Sequence, residues 1–488
     1  MKTIQKSLTF DDVLLVPQYS EILPKEVSLK TRFTKNISLN IPLVSAAMDT
    51  VTEEKMAIAM ALAGGIGVVH KNCDPDTQAE IVRRVKRFEN GFIREPLVLS
   101  ANHKISDVVA IRNEHGFKSV PITEDGTLGS KIVGLITRND YLAHKHGQCK
   151  VSERMTPLKD LLTASEPIDL STANDILEES KHSKLLILNN NGTLSALLTR
   201  RDIEKNEKYP NSTKDSNKRL LVAAACGPAA NMRERVQKLA DAGVDVLIVD
   251  TAHGHSKGVL DTVKFIKKNY KKIDVIGGNI ATAAAAAALI EAGADGVKVG
   301  IGPGSICTTR IIAGIGVPQL SAVMNVVDEA KKHNIPVIAD GGIKYSGDVA
   351  KSLAAGASTV MIGSLLAGTA EAPGEMIYAD GKTFKYYRGM GSIAAMKKGG
   401  KERYAQSNVA DEKLVPEGIE GKILYKGPAS AELFQLCGGV RSSMGYTGAK
   451  NMKDFAEKSE FVQITNAGLK ESHPHDVSIL NEAPNYRG

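Results

Sequence analysis

Short apolar segments alternate with segments of helical spacing along most of this chain, and their number constrains the fold. Six strand-like segments follow residue 219, at 220–225, 244–250, 273–277, 296–300, 336–340 and 359–363. Two strand–helix units precede residue 93, with strands at 41–49 and 66–70 and helices at 52–63 and 77–90. Eight such units are the number that closes a parallel barrel, whereas an open doubly wound sheet more often has fewer. The predicted fold class is therefore α/β, a (β/α)8 TIM barrel built from residues 1–92 and 206–488.

Residues 93–205 interrupt this alternation with more polar sequence that contains an internal repeat. VGLITRND at 133–140 is echoed by SALLTRRD at 195–202, and each copy follows a polar turn, at 124–127 and 190–193. Polar turns between apolar segments predict two hairpins, each followed by a helix. Two unrelated strand–turn–helix segments are the alternative interpretation. The polar segment 212–217 is interpreted as a linker that returns to the barrel.

Charge, cysteine content and hydropathy exclude several classes of protein. The 62 basic and 55 acidic residues give a net charge of +7, which is too small and too dispersed to predict nucleic-acid binding. The five cysteines contain no CxxC pair, so they predict no zinc site and suit a reducing compartment. The sequence has no apolar leader and no apolar span of about 18 residues, so we expect a cytoplasmic protein without membrane association.

In a TIM barrel the residues at the carboxyl ends of the strands form the functional site. Polar residues and glycines gather at these ends here, including Asp250 and the segment 300–307. Glycines after the seventh and eighth strands of such barrels commonly bind phosphate through backbone N–H groups. The phosphate-binding candidates are Gly342, Gly363 and Ser364, and plain tight turns are the alternative.

One strand end carries a cysteine within a glycine-rich loop, GIGPGSICTTR at 300–310. Glycines let the backbone approach a ligand closely, and successive N–H groups in such a loop can hold an anion or polarise a carbonyl. Cys307 is therefore a candidate nucleophile, with Thr308, Thr309 and Arg310 beside it. An inert buried thiol in a glycine turn is the alternative.

Four segments together resemble the inosine-5′-monophosphate (IMP) dehydrogenase family of bacterial type. They are GPGSICTTR at 302–310, ADGGI at 339–343, YRGMGS at 387–392 and VPEG at 415–418. The resemblance covers essentially the whole chain, including the inserted repeat. It implies NAD-dependent oxidation of IMP to XMP, the committed step of guanine nucleotide synthesis.

The resemblance implies that Cys307 attacks C2 of the purine and forms a covalent thioimidate, which water then hydrolyses. A thiolate suits both steps because it is nucleophilic near neutral pH and is also a leaving group. The implied IMP contacts are Ser305, Asp340, Gly341, Gly342, Gly363, Ser364, Tyr387, Arg388, Gly389, Met390, Gly391 and Glu417. The implied NAD contacts are Asp250, Asn279, Gly300, Ile301 and Gly302. The chain has no GxGxxG after a first strand, so NAD would not bind through a Rossmann unit.

Residues 371–435 are long for a loop in a compact barrel, which predicts a functional role. The resemblance implies a mobile flap with a catalytic pair, Arg403 and Tyr404, in which Arg403 is the base that activates water. A guanidinium is nearly always protonated, so Thr309 and Glu417 remain a second route for the proton. A solvated charged segment is the alternative interpretation of 397–404.

The resemblance also implies a monovalent cation, potassium. Backbone carbonyl oxygens are ligands that suit such a hard cation. Its implied ligands are the carbonyls of Gly302, Gly304 and Cys307, together with Glu471, Ser472 and His473 of a neighbouring subunit. The implied assembly is a homo-oligomer, a tetramer or an octamer. Histidines at 253, 255, 473 and 475 invite a transition-metal site, but solvated or capping side chains are the preferred interpretation.

The inserted repeat resembles the tandem cystathionine-β-synthase (Bateman) motif, with Thr-Arg-x-Asp in each copy. That resemblance implies a regulatory domain at 93–205 that binds purine nucleotides such as ATP or GTP. Two other functions stay open. One is a guanosine-monophosphate (GMP) reductase, which shares the barrel and the cysteine loop but characteristically lacks the insert and the Arg403–Tyr404 pair. The other is a catalytically silent nucleotide-sensing scaffold.

Overall fold

The structure, a computed structural model, describes residues 4–88, 93, 96–115, 119–200, 208–404, 406 and 409–486. The chain divides into a barrel unit and an inserted unit. The barrel unit comprises Met1–Arg87, Asn211–Asp215 and Leu220–Gly488, and the inserted unit comprises Phe88–Pro210 and Ser216–Arg219. Within the described ranges, no helix is long and apolar enough to cross a membrane.

Eight parallel strands of the barrel unit close into a ring, which confirms the predicted fold class. In chain order they are β1 (Leu43–Ser45), β2 (Ile66–Val69), β3 (Ala223–Cys226), β4 (Val246–Asp250), β5 (Asp274–Ile280), β6 (Gly296–Val299), β7 (Val337–Asp340) and β8 (Thr359–Ile362). β8 pairs with β1 to complete the ring. Every residue of these strands is buried except Asp340, as expected for parallel strands that are covered on both faces.

Helices follow the strands, as the alternating pattern predicts. They are Glu54–Ala63, Pro75–Lys86, Met232–Asp241, Lys257–Asn269, Ala283–Glu291, Thr309–Ile312, Gln319–Lys332, Ser346–Ala354 and Ser364–Ala367. The helix predicted at 77–90 begins earlier, because the Asp74 side chain caps it by accepting from the Thr77 amide and Pro75 suits the first helical position. It ends at Lys86, and its predicted end at residue 90 lies outside the described residues.

Alternate strand residues fill the barrel interior, with Val246 and Ile248 of β4 as examples. A hairpin formed by Thr31–Arg32 and Ser38–Leu39 adds Phe33 and Leu39 to the same buried cluster. The Lys35 amide of this hairpin donates to the carbonyl of Asp295, directly before β6. The hairpin therefore closes the amino-terminal end of the barrel and leaves the opposite rim for the functional site.

Residues 371–435 contain a small sheet that the sequence did not predict. Met376–Ala379, Lys382–Arg388 and Glu420–Leu424 pair as three antiparallel strands. Helix Ile393–Lys398 and the 3-10 helix Gly400–Tyr404 lie between the second and third strands. The outer strands are mostly solvent-facing, so they lack the apolar alternation that marks a strand in sequence. The described residues between the second and third strands, here called the 389–419 segment, lie over the barrel rim.

The rest of the barrel unit lies outside the ring. Val13–Leu15 pairs with Phe461–Gln463 in a two-stranded sheet. The remaining helices are Ala429–Tyr446, Met452–Lys458 and Asn466–Glu471.

The inserted unit contains two similar halves, each with one antiparallel hairpin, as the repeat predicts. The hairpins are Ser119–Thr123 with Ile132–Thr137 and Lys184–Leu188 with Leu194–Thr199. Among the described residues of this unit, the other strands are Leu99–Ser100, Thr156–Pro157 and Thr163–Ser165, and the α-helices are Ile105–His115, Ala143–His146 and Leu170–Ser180. Ile132 and Leu194 belong to one buried cluster, so the halves share a core. Arg201 and Asp202, which end the second repeat copy, lie outside the described residues.

The segment interpreted as a linker, 212–217, is partly packed against the barrel. Thr213 is buried, and its hydroxyl donates to the carbonyl of Gly65 at 2.5 Å. Asp215 pairs with Lys86 at 2.9 Å, and the same ammonium binds Asp245 at 2.7 Å. Burial raises the pKa of Asp245, and Lys86 opposes that shift. This ion cluster holds the returning chain, which polar composition alone does not reveal.

We expect Lys86→Met to lower the free energy of unfolding by about 3–5 kcal/mol, because it removes the ammonium that binds the buried carboxylate of Asp245. The measurement is the urea-unfolding midpoint of the full chain. Lys332→Met is the control, since Lys332 forms a surface pair with Glu329 and should contribute about 1 kcal/mol or less. Equal shifts in the two variants would contradict the prediction.

Candidate active site

The carboxyl ends of the strands and the 389–419 segment enclose one cavity of about 130 Å³. The predicted site residues that line it are Asp250, Asn279, Gly300, Ile301, Gly302, Gly304, Cys307, Thr309, Asp340, Gly341, Tyr387, Gly389, Met390, Arg403, Tyr404 and Glu417. The lining residues that sequence reasoning did not name individually as contacts are Ala46, Ala47, Met48, Ala252, Lys298, Pro303, Ile306 and Met361, of which Pro303 and Ile306 lie in the predicted segment 300–307. Most of the missed residues are small or apolar, so nothing in their chemistry marks them in a sequence.

The Cys307 loop is held against the neighbouring strand end. A Cβ at position 300 would overlap the carbonyl oxygen of Asp340, so the close approach requires glycine there. The Gln319 amide donates to the carbonyls of Val299 at 2.9 Å and Asp340 at 3.1 Å, which ties the ends of β6 and β7 together. The position of Cys307 relative to Asp340 is therefore set by backbone contacts.

Cys307 begins a short chain of hydrogen bonds. Its thiol donates to the hydroxyl of Thr309 at 3.2 Å, and that hydroxyl donates to Oε2 of Glu417 at 2.7 Å. The Thr308 amide also donates to the carbonyl of Glu417 at 3.0 Å, so the backbone holds the carboxylate in place. The chain connects the thiol to a carboxylate through one hydroxyl and can carry a proton between them.

The 389–419 segment is attached to the rim by charge. The Arg403 guanidinium binds Oδ2 of Asp250, and the Arg403 carbonyl accepts from the Ala252 amide at 3.1 Å. Next to it, Lys71 pairs with Glu402 at 2.7 Å, and burial lowers the pKa of this lysine. These contacts place Arg403 on the carboxylate for which the sequence predicts a role in binding NAD.

Two tyrosines line the cavity that contains the thiol. Burial raises the pKa of Tyr404, whose ring lies against Gly391: a Cβ there would be 2.6 Å from the ring carbon Cζ. Burial also raises the pKa of Tyr387 to about 12, although a hydrogen bond with Ser305 opposes that shift. Both phenols therefore remain protonated donors in the neutral pH range.

A buried lysine lies at the centre of the site. Lys298, on β6, is 1% exposed and donates to Asp250 at 2.9 Å, Asn279 at 2.5 Å and Asp340 at 2.6 Å. Asn279 in turn donates to Oδ2 of Asp340 at 2.9 Å. A lysine within a strand that is otherwise apolar, GVKV, is a signal that sequence reasoning could have used, because a buried ammonium requires acidic partners.

Six predicted IMP contacts do not line the cavity: Ser305, Gly342, Gly363, Ser364, Arg388 and Gly391. Ser305 forms a hydrogen bond with Tyr387, Gly391 lies against the Tyr404 ring, and a Cβ on Gly363 would be 3.2 Å from the Tyr387 hydroxyl. Arg388 instead pairs with Asp49, at 3.2 Å from its Nε. The hydrogen bonds of Arg388 and Asn72 lower the pKa of Asp49 despite its burial.

The residues predicted to bind a cation fall into two places. Gly302, Gly304 and Cys307 lie on the cavity, and in the described part of the chain the carbonyls of Gly302 and Cys307 accept no hydrogen bond. His473 lies elsewhere in the same subunit, where its ring packs against Tyr345 and accepts or donates a hydrogen bond with Tyr486 at 2.8 Å. The described residues contain no group of three His, Cys, Asp or Glu side chains that could hold a metal ion.

Comparisons with known proteins bear on this arrangement. A family model described as "IMP dehydrogenase / GMP reductase domain" matches residues 7–475. The chain is 53% identical over 482 residues to the inosine-5′-monophosphate dehydrogenase of Halalkalibacterium halodurans, covering 99% of this chain and 98% of that protein. It is 53% identical over 488 residues to the enzyme of the same name from Helicobacter pylori strain J99, covering 100% of both.

A solved structure is also similar. It is a cysteine-to-alanine variant of the GMP reductase of Trypanosoma brucei, in complex with guanosine 5′-monophosphate. The TM-score is 0.87 and the sequence identity 40%, and the match covers 98% of this chain and 99% of the other. A reductase can therefore have the length of this chain, so the presence of an insert does not separate the two activities.

We expect iodoacetamide at pH 8 to modify Cys307 before the other thiols of the barrel unit. Burial raises the pKa of Cys73 to about 11 and those of Cys226 and Cys437 to about 12. At that pH roughly one thiol in a thousand or fewer is then the reactive thiolate at these three sites. Peptide mapping over time measures the order, and Cys307→Ser is the control for the fast site. Modification of Cys73 or Cys226 at the rate of Cys307 would contradict this expectation.

Proposed function

The chain belongs to the IMP dehydrogenase / GMP reductase family, and from that membership we propose that it is the dehydrogenase, which oxidises IMP to XMP through Cys307. The observation that carries the proposal is the hydrogen-bonded chain from the Cys307 thiol through Thr309 to Glu417, in a cavity that Arg403 and Tyr404 also line. Nucleophile, proton acceptor and a route for water activation thus lie at one barrel rim.

The first step forms a bond between Cys307 and the substrate. As the thiol loses its proton along the Thr309 hydroxyl to Glu417, the sulfur attacks C2 of the purine. NAD, when bound, accepts the hydride that leaves C2. The product on the protein is a thioimidate at C2, and the thiolate is again the leaving group when water attacks the same carbon.

The contacts with IMP are proposed from the positions of the polar groups around the thiol. Asp340 lines the cavity at the end of β7 and can accept from ribose hydroxyls. Gly341 and Gly342 follow with φ values of 92° and 82°, a backbone that favours glycine and turns N–H groups toward an anion. Gly363 and Ser364 begin a short helix after β8 and would supply further donors to the phosphate.

The residues proposed to bind the cofactor offer a carboxylate for its ribose and glycines that let the backbone come close to it. Asp250 offers a carboxylate, and Gly300 and Gly302 leave the backbone accessible at the cavity. Arg403 now occupies Oδ2 of Asp250, so a ribose hydroxyl would have to displace this guanidinium. We propose that Arg403 leaves Asp250 while the cofactor is bound and returns when it departs. Water then enters a site with Arg403 beside the thioimidate.

Two routes for activating that water are retained. Arg403 would act as the base, with Tyr404 beside it in the cavity, although a guanidinium normally stays protonated. The Thr309–Glu417 pair would act as the second route, because its carboxylate already accepts a hydrogen bond from the hydroxyl nearest the thiol. The two routes differ in what the loss of Arg403 does to hydrolysis.

We propose potassium at the carbonyls of Gly302, Gly304 and Cys307, with Glu471, Ser472 and His473 contributed by a neighbouring subunit. Among the described residues, the carbonyl oxygens of Gly302 and Cys307 accept no hydrogen bond, which suits a hard cation, and such a cation would fix the loop that carries the thiol. This assignment implies a homo-oligomer, at least a tetramer. The inserted unit, residues 93–205 by sequence, is proposed as a tandem cystathionine-β-synthase module that binds ATP or GTP.

GMP reduction is the second candidate function, because a GMP reductase is among the similar structures. Since that reductase matches over the whole chain, the feature that favours the dehydrogenase is the Arg403–Tyr404 pair in the cavity, together with the names of the full-length relatives. A hydrolytic second step needs a group that activates water, whereas a reductase needs none.

We expect the purified protein to form NADH from IMP and NAD, and Cys307→Ser to reduce that rate at least about a thousandfold because the nucleophile is lost. Cys437→Ser is the matched control, since Cys437 is a thiol outside the cavity. NADPH consumption with GMP would favour the reductase instead. Absence of both activities would favour a silent scaffold.

We expect Arg403→Ala to retain the first-turnover burst of NADH and to slow steady-state turnover by about 10²–10⁴-fold, the range typical of acid–base catalysis. Rapid-mixing measurement of NADH separates the two phases. Lys398→Ala is the control, an exposed cation of the neighbouring helix that should leave both phases unchanged. Equal loss of burst and turnover in Arg403→Ala would defeat the water-activation role.

A further inference from the structure

We propose that Lys298 is a positioning residue that joins the IMP site and the cofactor site through one buried ammonium. The inference rests on the proposed function, which places a ribose of each ligand on a different aspartate. Those aspartates are Asp340 and Asp250, and Lys298 binds both, at 2.6 and 2.9 Å. In this proposal Lys298 does not contact the ribose of IMP or of NAD. It acts by holding the two carboxylates.

The strand register places Lys298 inside the barrel. On β6 it pairs with Gly278 of β5 and Ile338 of β7, and Ile338 belongs to the apolar interior cluster. A Cβ on Gly278 would be 2.8 Å from the Cβ of Lys298, so the glycine leaves the space that the lysine fills. The side chain is 2% exposed, and its ammonium lies among polar groups at the functional end of the barrel.

The three hydrogen bonds of Lys298 match its three N–H donors. They go to Oδ1 of Asp250, Oδ1 of Asn279 and Oδ2 of Asp340. Asn279 binds the same Oδ2 of Asp340. In the described part of the chain, Oδ1 of Asp340 accepts no hydrogen bond, so Lys298 and Asn279 determine which carboxylate oxygen is available to a ribose hydroxyl.

Charge balance makes Lys298 most important when the cofactor binds. With Arg403 on Asp250, the two cations Lys298 and Arg403 balance the two carboxylates. When Arg403 leaves, Lys298 is the cation that still holds Asp250, and without it a buried carboxylate would lack a charged partner. One ammonium therefore orients the acceptor for each ligand, and its loss should weaken the binding of both.

Steady-state kinetics with IMP and NAD tests this on the full-length enzyme. We expect Lys298→Met to raise the KM for IMP and the KM for NAD each at least tenfold, equivalent to about 1.4 kcal/mol per ligand. Lys298→Gln keeps the length and one donor and should restore part of both losses. It also keeps the test available if Lys298→Met does not fold. Lys267→Gln is the control, since Lys267 pairs with Asp295 away from the cavity and should change both KM values less than twofold.

The KM values separate positioning from a merely structural role. KM does not depend on the concentration of active enzyme, so a variant that only folds less well loses rate and keeps its KM for both ligands. That outcome, or a rise confined to one ligand, would overturn the inference. The wild-type enzyme in the same assay tests the proposed function separately. If it forms no NADH from IMP, the proposed function fails. If it forms NADH and both Lys298 variants keep normal KM values, only this inference fails.

Discussion

Closure of the parallel sheet is the constraint on which the rest of the structure depends. Once β8 pairs with β1, all eight strands end at one rim, and residues far apart in sequence become neighbours. The close approach of Gly300 to the Asp340 carbonyl, braced by the Gln319 side-chain amide, then sets the distance between the thiol loop and the carboxylate proposed to bind ribose. A shift there would displace both groups at once, because the contact joins the two strand ends that carry them.

Two buried lysines illustrate how one kind of interaction serves two purposes in this barrel. Lys86 lies among Asp215 and Asp245, where it holds the chain returning from the inserted unit. Lys298 lies among carboxylates that line the cavity. Both must be paired because an isolated buried ammonium is very costly. Only the location of the partners distinguishes the cluster that supports the fold from the cluster that we propose positions ligands.

The Arg403–Asp250 pair gives the proposed reaction its order. A carboxylate that serves a cofactor ribose and a guanidinium in turn cannot hold both, so hydride removal and water attack would take place in different arrangements of the 389–419 segment. A single static site would have to exclude water for the first step and admit it for the second. Exchange of partners at one carboxylate removes that conflict, and the Thr309–Glu417 hydrogen bond involves neither Arg403 nor Asp250.

The sequence by itself determined the barrel, since alternating apolar and helical segments leave few other ways to bury eight strands. It also singled out Cys307, because a thiol among glycines at a strand end is chemically distinctive. It did not reveal the sheet at 376–424, whose outer strands lack an apolar period, or the packed segment at 213–215. Nor did it connect Lys298 to its aspartates or Arg403 to Asp250. Those contacts join different strands and a distant segment, so only the tertiary structure decided them. The local sequence pattern predicts that a segment is a strand, whereas the pairing of charges depends on which strand ends meet in the folded barrel.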